Sequence, residues 1–169
     1  IDAFTTPYFR IYPSEDLVGC ELAGAAKSVI ALAVGMAIGL GLGENTQAMI
    51  ITRGLSEVAR FGNGYGANPL THLGLAGMGD LIATCSSLQS RNTSVGMALG
   101  RGENIGDVVA SMQMVAEGVK SSAAVLDLAA QFGIEMPITE QVVAVCHRGI
   151  SAEQALSDLL NRGGRSELD

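Results

Sequence analysis

The chain has 169 residues, a length typical of one domain with a buried core. Hydrophobic residues make up 48% of it, which excludes a disordered chain, and the formal net charge of −7 without a basic cluster argues against a nucleic-acid partner. Cys20, Cys85 and Cys146 form no CxxC pair. We therefore expect neither a metal site nor a disulfide scaffold, and the cysteine pattern suits a reducing, cytoplasmic location.

The first thirteen residues hold most of the aromatic side chains and favour β structure, most clearly over Tyr8–Tyr12. We interpret residues 1–13 as an end strand or linker from an upstream portion, because the chain begins at Ile1 rather than at Met. Ser14-Glu15-Asp16 then predicts the start of a helix, with the Ser14 hydroxyl as N-cap and acidic side chains in the first turn.

An almost wholly apolar stretch follows from Leu17 to about Ile38 and predicts a buried helix. Glycines at positions 19, 24 and 35 interrupt this stretch, and the absence of a side chain at such positions lets a second helix approach closely. The longest apolar run, residues 28–43, has sixteen residues and falls short of the roughly 20 that span a membrane. We therefore expect no membrane-spanning segment.

Helical patterns recur along the rest of the chain, whereas strand patterns are nearly absent after residue 12. Helices are predicted from Asn45-Thr46, from Pro69, and over residues 93–101, 105–113, 118–131, 139–149 and 152–161. Gly133 suits a helix C-cap, and Ser151–Gln154 fits a capping box. The predicted fold is all-α: a multi-helix bundle over residues 14–161, with residues 162–169 as a frayed tail.

Lys27 lies in the middle of the apolar helix, where a cation must be paired, reach water or lose its proton. A desolvated amine is a usable acid/base group, and the alternative is a lysine whose stem packs while its head reaches the surface. Asp80 follows a glycine-rich turn and precedes an apolar run. It is either the N-cap of the next helix or a carboxylate that pairs with the lysine.

A polar segment, Ser90-Arg91-Asn92, precedes another predicted helix. Arginine forks onto anionic oxygens and a helix N-terminus adds N–H donors, so the segment suits a phosphate or a carboxylate. The alternative is a polar loop in which Asn92 caps the helix. The glycine-rich runs at residues 39–43 and 62–66 follow no strand, so they lack the context of a dinucleotide-binding loop.

Several ordered motifs resemble bacterial-type NAD(P)-dependent glycerol-3-phosphate dehydrogenases. These motifs are residues 19–29 around Lys27, 39–45, 51–57, 74–81, 84–87, 90–92 and 115–118, and the resemblance covers about residues 10–160. In that family an N-terminal Rossmann domain holds the nicotinamide cofactor and a helical C-terminal domain closes over the substrate. The resemblance implies that this chain is the second domain, a bundle similar to the C-terminal domain of 6-phosphogluconate dehydrogenase.

The resemblance also implies an activity and a set of site residues. The full enzyme would interconvert dihydroxyacetone phosphate and sn-glycerol 3-phosphate with NAD or NADP, for glycerophospholipid synthesis, and this domain alone would be inactive. Lys27 matches the catalytic lysine and Asp80 the substrate-site acid near it. The substrate-binding segment is matched by Ser90, Arg91 and Asn92, and the positions that touch the cofactor are matched by Arg91, Val115 and Glu117.

Two other interpretations stay open. One is the helical C-terminal domain of another two-domain NAD(P)-dependent reductase, against which the phosphate-suited segment argues. The other is a non-catalytic helical interaction module. The apolar helices are also compatible with a homodimer. Ser28 follows the lysine where the family usually has Asn, so the resemblance supports no direct substrate contact for Ser28.

Overall fold

The computed structural model describes residues 1, 3–112 and 116–163, which form helices and no strand. The elements are α1 (Leu17–Gly39), α2 (Glu44–Gly64), α3 (Pro69–Leu73), a π-helical turn (Leu75–Gly79), α4 (Asp80–Ser86), α5 (Arg91–Gly100), α6 (Ile105–Ser111), α7 (Glu117–Gln131), α8 (Pro137–Arg148) and α9 (Ala152–Leu160). The prediction of an all-α bundle is confirmed, and the five predicted ranges from residue 93 onwards agree with α5–α9 to within two residues at each end.

The N-terminal segment is not a strand in the part that the structure describes. Its β structure is limited to an isolated antiparallel bridge between Thr6 and Phe9. The aromatic side chains of this segment are exposed, Tyr8 at 99%, so neither a partner strand nor a core face holds the backbone extended. Within the described part of the chain this segment therefore forms no strand, and its role as a linker or end strand from an upstream portion stays a prediction.

Helix α1 begins at a different cap from the one predicted. The Asp16 carboxylate, not the Ser14 hydroxyl, accepts a hydrogen bond from the backbone N–H of Gly19 at 2.8 Å. Asp16 also accepts from the Thr71 hydroxyl at 2.6 Å and from the backbone N–H of Asn68 at 2.9 Å. These donors, with Thr71 foremost, lower the pKa of Asp16. Through these hydrogen bonds Asp16 also connects the start of α3 to the start of α1.

Helix α1 forms the centre of the bundle and contacts α2, α4, α5, α7 and α8. One apolar cluster, which includes Ile30 and Phe61, lies on one side of α1, and a second, which includes Val29 and Val95, lies on the other. By length and composition alone, α1 could cross a membrane. The count of sixteen apolar residues therefore underestimated the length of the apolar helix. Because 61% of its most apolar window is buried within the domain, α1 has the surroundings of a core helix.

Helices α1 and α5 pack with their backbones in contact. Gly35 and Gly39 of α1 meet Gly96 and Gly100 of α5, and a Cβ atom added to any of the four would collide with the backbone of the other helix. The contacts follow the same order along both helices, so α5 runs parallel to α1. The predicted close approach is confirmed at Gly35.

The other two glycines of α1 do not serve a helix contact. Gly24 faces open space, and a Cβ atom at Gly19 would instead meet the capping carboxylate of Asp16. The prediction of close approach is therefore wrong at both positions. Glycine in an apolar helix does not by itself indicate which face another helix covers.

The first turn of helix α8 is hydrogen-bonded to a buried carboxylate from α2. Glu57 is 2% exposed, and its two oxygens accept from the backbone N–H groups of Ile138 at 2.6 Å and Thr139 at 3.2 Å. The Thr139 hydroxyl donates to the same carboxylate at 3.1 Å. These bonds satisfy N–H groups that a helix start leaves without partners. Burial nevertheless raises the pKa of Glu57 to about 7, while the hydrogen bonds oppose that shift.

The raised pKa of Glu57 predicts a pH-dependent free energy of unfolding. The folded state binds the proton more tightly than the unfolded state, in which the pKa is near 4.5. The stability due to this group is therefore complete below pH 4.5 and is lost as the pH rises through about 7. Between pH 6 and pH 8 we expect a loss of about 1 kcal/mol in urea unfolding of the chain. Glu57→Gln removes this loss, whereas the exposed Glu140→Gln retains it; equal slopes in both variants would contradict the assignment.

Candidate active site

The structure brings Lys27 and Asp80 together although 53 positions separate them in the chain. The Lys27 ammonium, on α1, donates a hydrogen bond to Oδ2 of Asp80, the first residue of α4. The two side chains are 25% and 41% exposed, so the pair lies at the surface of the bundle with one side open to solvent. The amine is half-buried rather than fully enclosed, and a carboxylate compensates its charge.

The local fold directs Asp80 towards the lysine. The π-helical turn Leu75–Gly79 precedes it, and this uncommon geometry often occurs at functional sites. Gly77 allows the turn to close, because a Cβ atom there would collide with the backbone of His72. The Asp80 side chain makes no cap bond, and its second oxygen accepts from the Thr84 hydroxyl at 3.4 Å. The alternative interpretation of Asp80 as an N-cap is therefore wrong.

The predicted anion-binding segment forms the start of α5. Ser90 is the N-cap, and its hydroxyl accepts from the backbone N–H of Thr93 at 3.3 Å. Arg91 is the first residue of the helix, and it is exposed. Asn92 does not cap the helix: its Oδ1 accepts from the backbone N–H of Gly118 at 3.0 Å. The interpretation of Asn92 as the cap is wrong, because the Ser90 hydroxyl occupies that position.

The start of α7 completes the surroundings of the lysine. Gly118 packs on the backbone of Ser28, the residue after Lys27, and a Cβ atom at Gly118 would collide there. Glu117, the first residue of α7, is exposed. Val115 lies outside the described residues. Residues 117–118 are therefore held between α1 and the Asn92 side chain.

Because α1 and α5 are parallel, the positions of Lys27 and Arg91 along the bundle axis can be compared. Gly35, which meets Gly96, lies eight residues after Lys27, and Gly96 lies five residues after Arg91. At about 1.5 Å of rise per residue, Lys27 is about 12 Å before the helix contact and Arg91 about 8 Å before it. The backbones of Lys27 and Arg91 therefore lie at the same end of the bundle.

This arrangement suits proton transfer next to an anion-binding group. An ammonium held by a carboxylate can give a proton to an oxygen that gains charge and can take it back in the reverse direction. An arginine at a helix N-terminus suits a phosphate. Within residues 1, 3–112 and 116–163, no three His, Cys, Asp or Glu side chains could together hold a metal ion.

Two threonines join this network without having been predicted as site residues. Thr84 holds the second oxygen of Asp80, and the Thr93 hydroxyl donates to the backbone carbonyl of Thr84 at 3.1 Å. The spacing of four residues between Asp80 and Thr84 on one helix was an available signal. Thr93 gave no such signal, because its bond crosses between two helices.

Comparison with known proteins agrees with the fold and with these motifs. Residues 16–157 match the model of the NAD-dependent glycerol-3-phosphate dehydrogenase C-terminus. Proteins named glycerol-3-phosphate dehydrogenase [NAD(P)+] from Streptomyces griseus and Geobacter metallireducens are 54% and 51% identical over 96% and 97% of this chain. The matches cover 48% and 49% of those proteins, so the chain spans about half the length of the curated relatives it matches.

Solved structures give the same result. The crystal structure of glycerol-3-phosphate dehydrogenase from Coxiella burnetii has a TM-score of 0.91 and 40% identity, over 96% of this chain and 50% of that one. The yeast enzyme has a TM-score of 0.84 and 28% identity, over 94% of this chain and 46% of that one. The chain therefore belongs to the family of NAD-dependent glycerol-3-phosphate dehydrogenases, in which it corresponds to the C-terminal domain.

Proposed function

We propose that this chain is the substrate-binding and catalytic domain of a dehydrogenase that interconverts dihydroxyacetone phosphate and sn-glycerol 3-phosphate. The single observation that carries the proposal is the Lys27–Asp80 pair, formed by distant residues in a chain of this family. The reaction supplies the glycerol backbone of phospholipids. Free cysteines at positions 20, 85 and 146 support a cytoplasmic location for the enzyme.

In the direction of reduction, Lys27 donates a proton to the carbonyl oxygen of dihydroxyacetone phosphate as that oxygen gains negative charge. In the direction of oxidation, the same amine accepts the proton of the C2 hydroxyl. Asp80 holds the amine in one orientation and compensates its positive charge. The Thr84 hydroxyl on the other carboxylate oxygen limits rotation of Asp80. The residues thus place a proton donor at one fixed point of the site.

The phosphate of the substrate binds at the start of α5. Arg91 supplies two parallel donors and the helix start supplies backbone N–H groups, so the anion gains charge-assisted hydrogen bonds. Ser90 shapes this end as the N-cap. The Asn92 oxygen accepts from Gly118, so the amide N–H₂ group is the part of this side chain that remains for the substrate. The phosphate therefore orients the carbonyl carbon relative to Lys27.

Loss of Arg91 should weaken substrate binding more than it slows turnover. In the full-length enzyme we expect Arg91→Ala to raise KM for dihydroxyacetone phosphate about 10- to 100-fold, the loss of one charge-assisted contact. Steady-state kinetics measure this. Arg101→Ala, at the other end of α5, is the matched control and should leave KM unchanged. An equal KM in the two variants would contradict the assignment of Arg91.

The cofactor is NAD or NADP, held mainly by an N-terminal Rossmann domain that is this domain's partner in the enzyme. The exposed Arg91 and Glu117, each at the first residue of a helix that packs against α1, fit the role of contacts from this side, as does Val115 by its position in the sequence. When bound, the nicotinamide supplies or accepts the hydride at the substrate's C2 carbon. The exposed leucines at positions 70, 73 and 75 are compatible with a surface that a second copy of the chain covers in a homodimer.

The proposal is tested by comparing the full-length enzyme with this chain alone. We expect oxidation of NADH or NADPH by dihydroxyacetone phosphate in the full-length enzyme, and no turnover with the 169-residue chain, because most of the cofactor contacts lie in the other half. Absorbance at the reduced nicotinamide band measures both. Turnover by the chain alone would refute the division of roles, and an inactive full-length enzyme would refute the function.

A further inference from the structure

Thr93 connects the two parts of the proposed site through hydrogen bonds. Its side chain is fully buried, at 0% exposure, and its hydroxyl donates to the backbone carbonyl of Thr84 at 3.1 Å. Its own backbone N–H donates to the Ser90 hydroxyl at 3.3 Å. One residue thus contacts both the helix that carries Asp80 and the cap that begins α5.

The bond to Thr84 supplies a partner that α4 cannot supply itself. This helix has seven residues, and its last four backbone carbonyls receive no hydrogen bond from an N–H group of the same helix. The Thr84 carbonyl is one of these four, and Thr93 satisfies it from the first turn of α5. Because Thr84 also holds Oδ1 of Asp80, a continuous path runs from the Lys27 amine through α4 to the start of α5.

We propose that Thr93 is a positioning residue that fixes the phosphate-binding start of α5 relative to the Lys27–Asp80 pair. The inference rests on the proposed function. A substrate held at both ends reacts only when the phosphate anchor and the proton donor keep their spacing, and a displacement of about 1 Å can lower the rate about 100-fold. Without the Thr93 hydroxyl, α4 and α5 each keep their packing against α1 but lose the polar bond between them that sets this spacing.

The test compares a phosphorylated with an unphosphorylated substrate in the full-length enzyme. The measured quantity is the ratio of kcat/KM for dihydroxyacetone phosphate to kcat/KM for dihydroxyacetone. Thr93→Val removes the hydroxyl at nearly constant shape and should lower this ratio about 10-fold. Thr93→Ser keeps a hydroxyl and should restore the ratio to within about 3-fold of the wild type. If Thr93→Val does not fold, Thr93→Ala replaces it.

Thr139→Val is the matched control. Thr139 is 1% exposed, and its hydroxyl also donates at 3.1 Å, but to Glu57 at the start of α8. A general loss of stability would lower kcat/KM for both substrates together and leave the ratio unchanged, so this variant should retain the wild-type ratio. The inference is overturned if Thr93→Val retains the ratio or if Thr139→Val lowers it equally. A wild-type enzyme that turns over neither ketone overturns the proposed function, and the inference with it.

Discussion

Replacement of Lys27 by Met in the full-length enzyme is expected to lower kcat for dihydroxyacetone phosphate about 100- to 10,000-fold, the range that a positioned proton donor contributes. Methionine keeps the unbranched stem but has no proton to give. KM should change little, because the phosphate contacts at the start of α5 remain. Steady-state kinetics with saturating cofactor measure the loss, and circular dichroism checks that the helices persist.

The control for this variant is Arg53→Met, which removes an exposed cation from α2 and should leave kcat unchanged. Asp80→Asn is the informative second variant. It keeps the size of the side chain but removes the charge that holds the amine, so we expect a smaller loss of kcat than for Lys27→Met. Such a graded series assigns the proton transfer to the lysine and the orientation to the aspartate.

The same experiment separates an enzyme from a non-catalytic interaction module. A module would lose no turnover on Lys27→Met, because the surface pair would serve only to join α1 and α4. Exposed ion pairs contribute little to stability, and this pair is partly exposed, so a purely structural role would also leave unfolding nearly unchanged. A normal kcat in Lys27→Met would favour the module.

The helices could be predicted from the sequence because the residues that begin and end helices agreed with the packing. Pro69 at the first turn of α3, Ser151 as the cap of α9 and Gly133 with φ of 64° after α7 are each explained by backbone chemistry. Tyr8 and its neighbours form no strand within the described part of the chain. Their β propensity is real, but strand formation depends on a partner that a local pattern cannot show.

The site could be predicted only in part, because some of its contacts depend on how the helices pack. Lys27 and Asp80 could be found because a charge in an apolar stretch requires compensation. The two threonines could not, because threonine is ordinary inside helices and its hydroxyl partner depends on how α4 meets α5. The role of Asn92 was unreadable too: its bond to Gly118 spans 26 positions, and the same residue type commonly caps helices.

Replacement of Gly35 by Ala is expected to lower the free energy of unfolding of the chain by about 3 kcal/mol or more. The added Cβ atom would meet the backbone of Thr93 and Gly96, which cannot rotate away as a side chain can. Relief requires that α5 move off α1, and this separates apolar residues such as Leu32 and Val95. Urea unfolding followed by circular dichroism measures the loss.

Gly24→Ala on the same helix is the matched control. Nothing lies within 4 Å of a Cβ atom built at that position, so only the helix propensity changes, and we expect a gain of about 0.5 to 1 kcal/mol. Opposite signs for one substitution on one helix would show that the contact, not the residue type, decides the effect. If Gly35→Ala unfolded at the same urea concentration as Gly24→Ala, the backbone contact between α1 and α5 would be refuted. The common position of Lys27 and Arg91 along the bundle axis, which is inferred from that contact, would then lose its support.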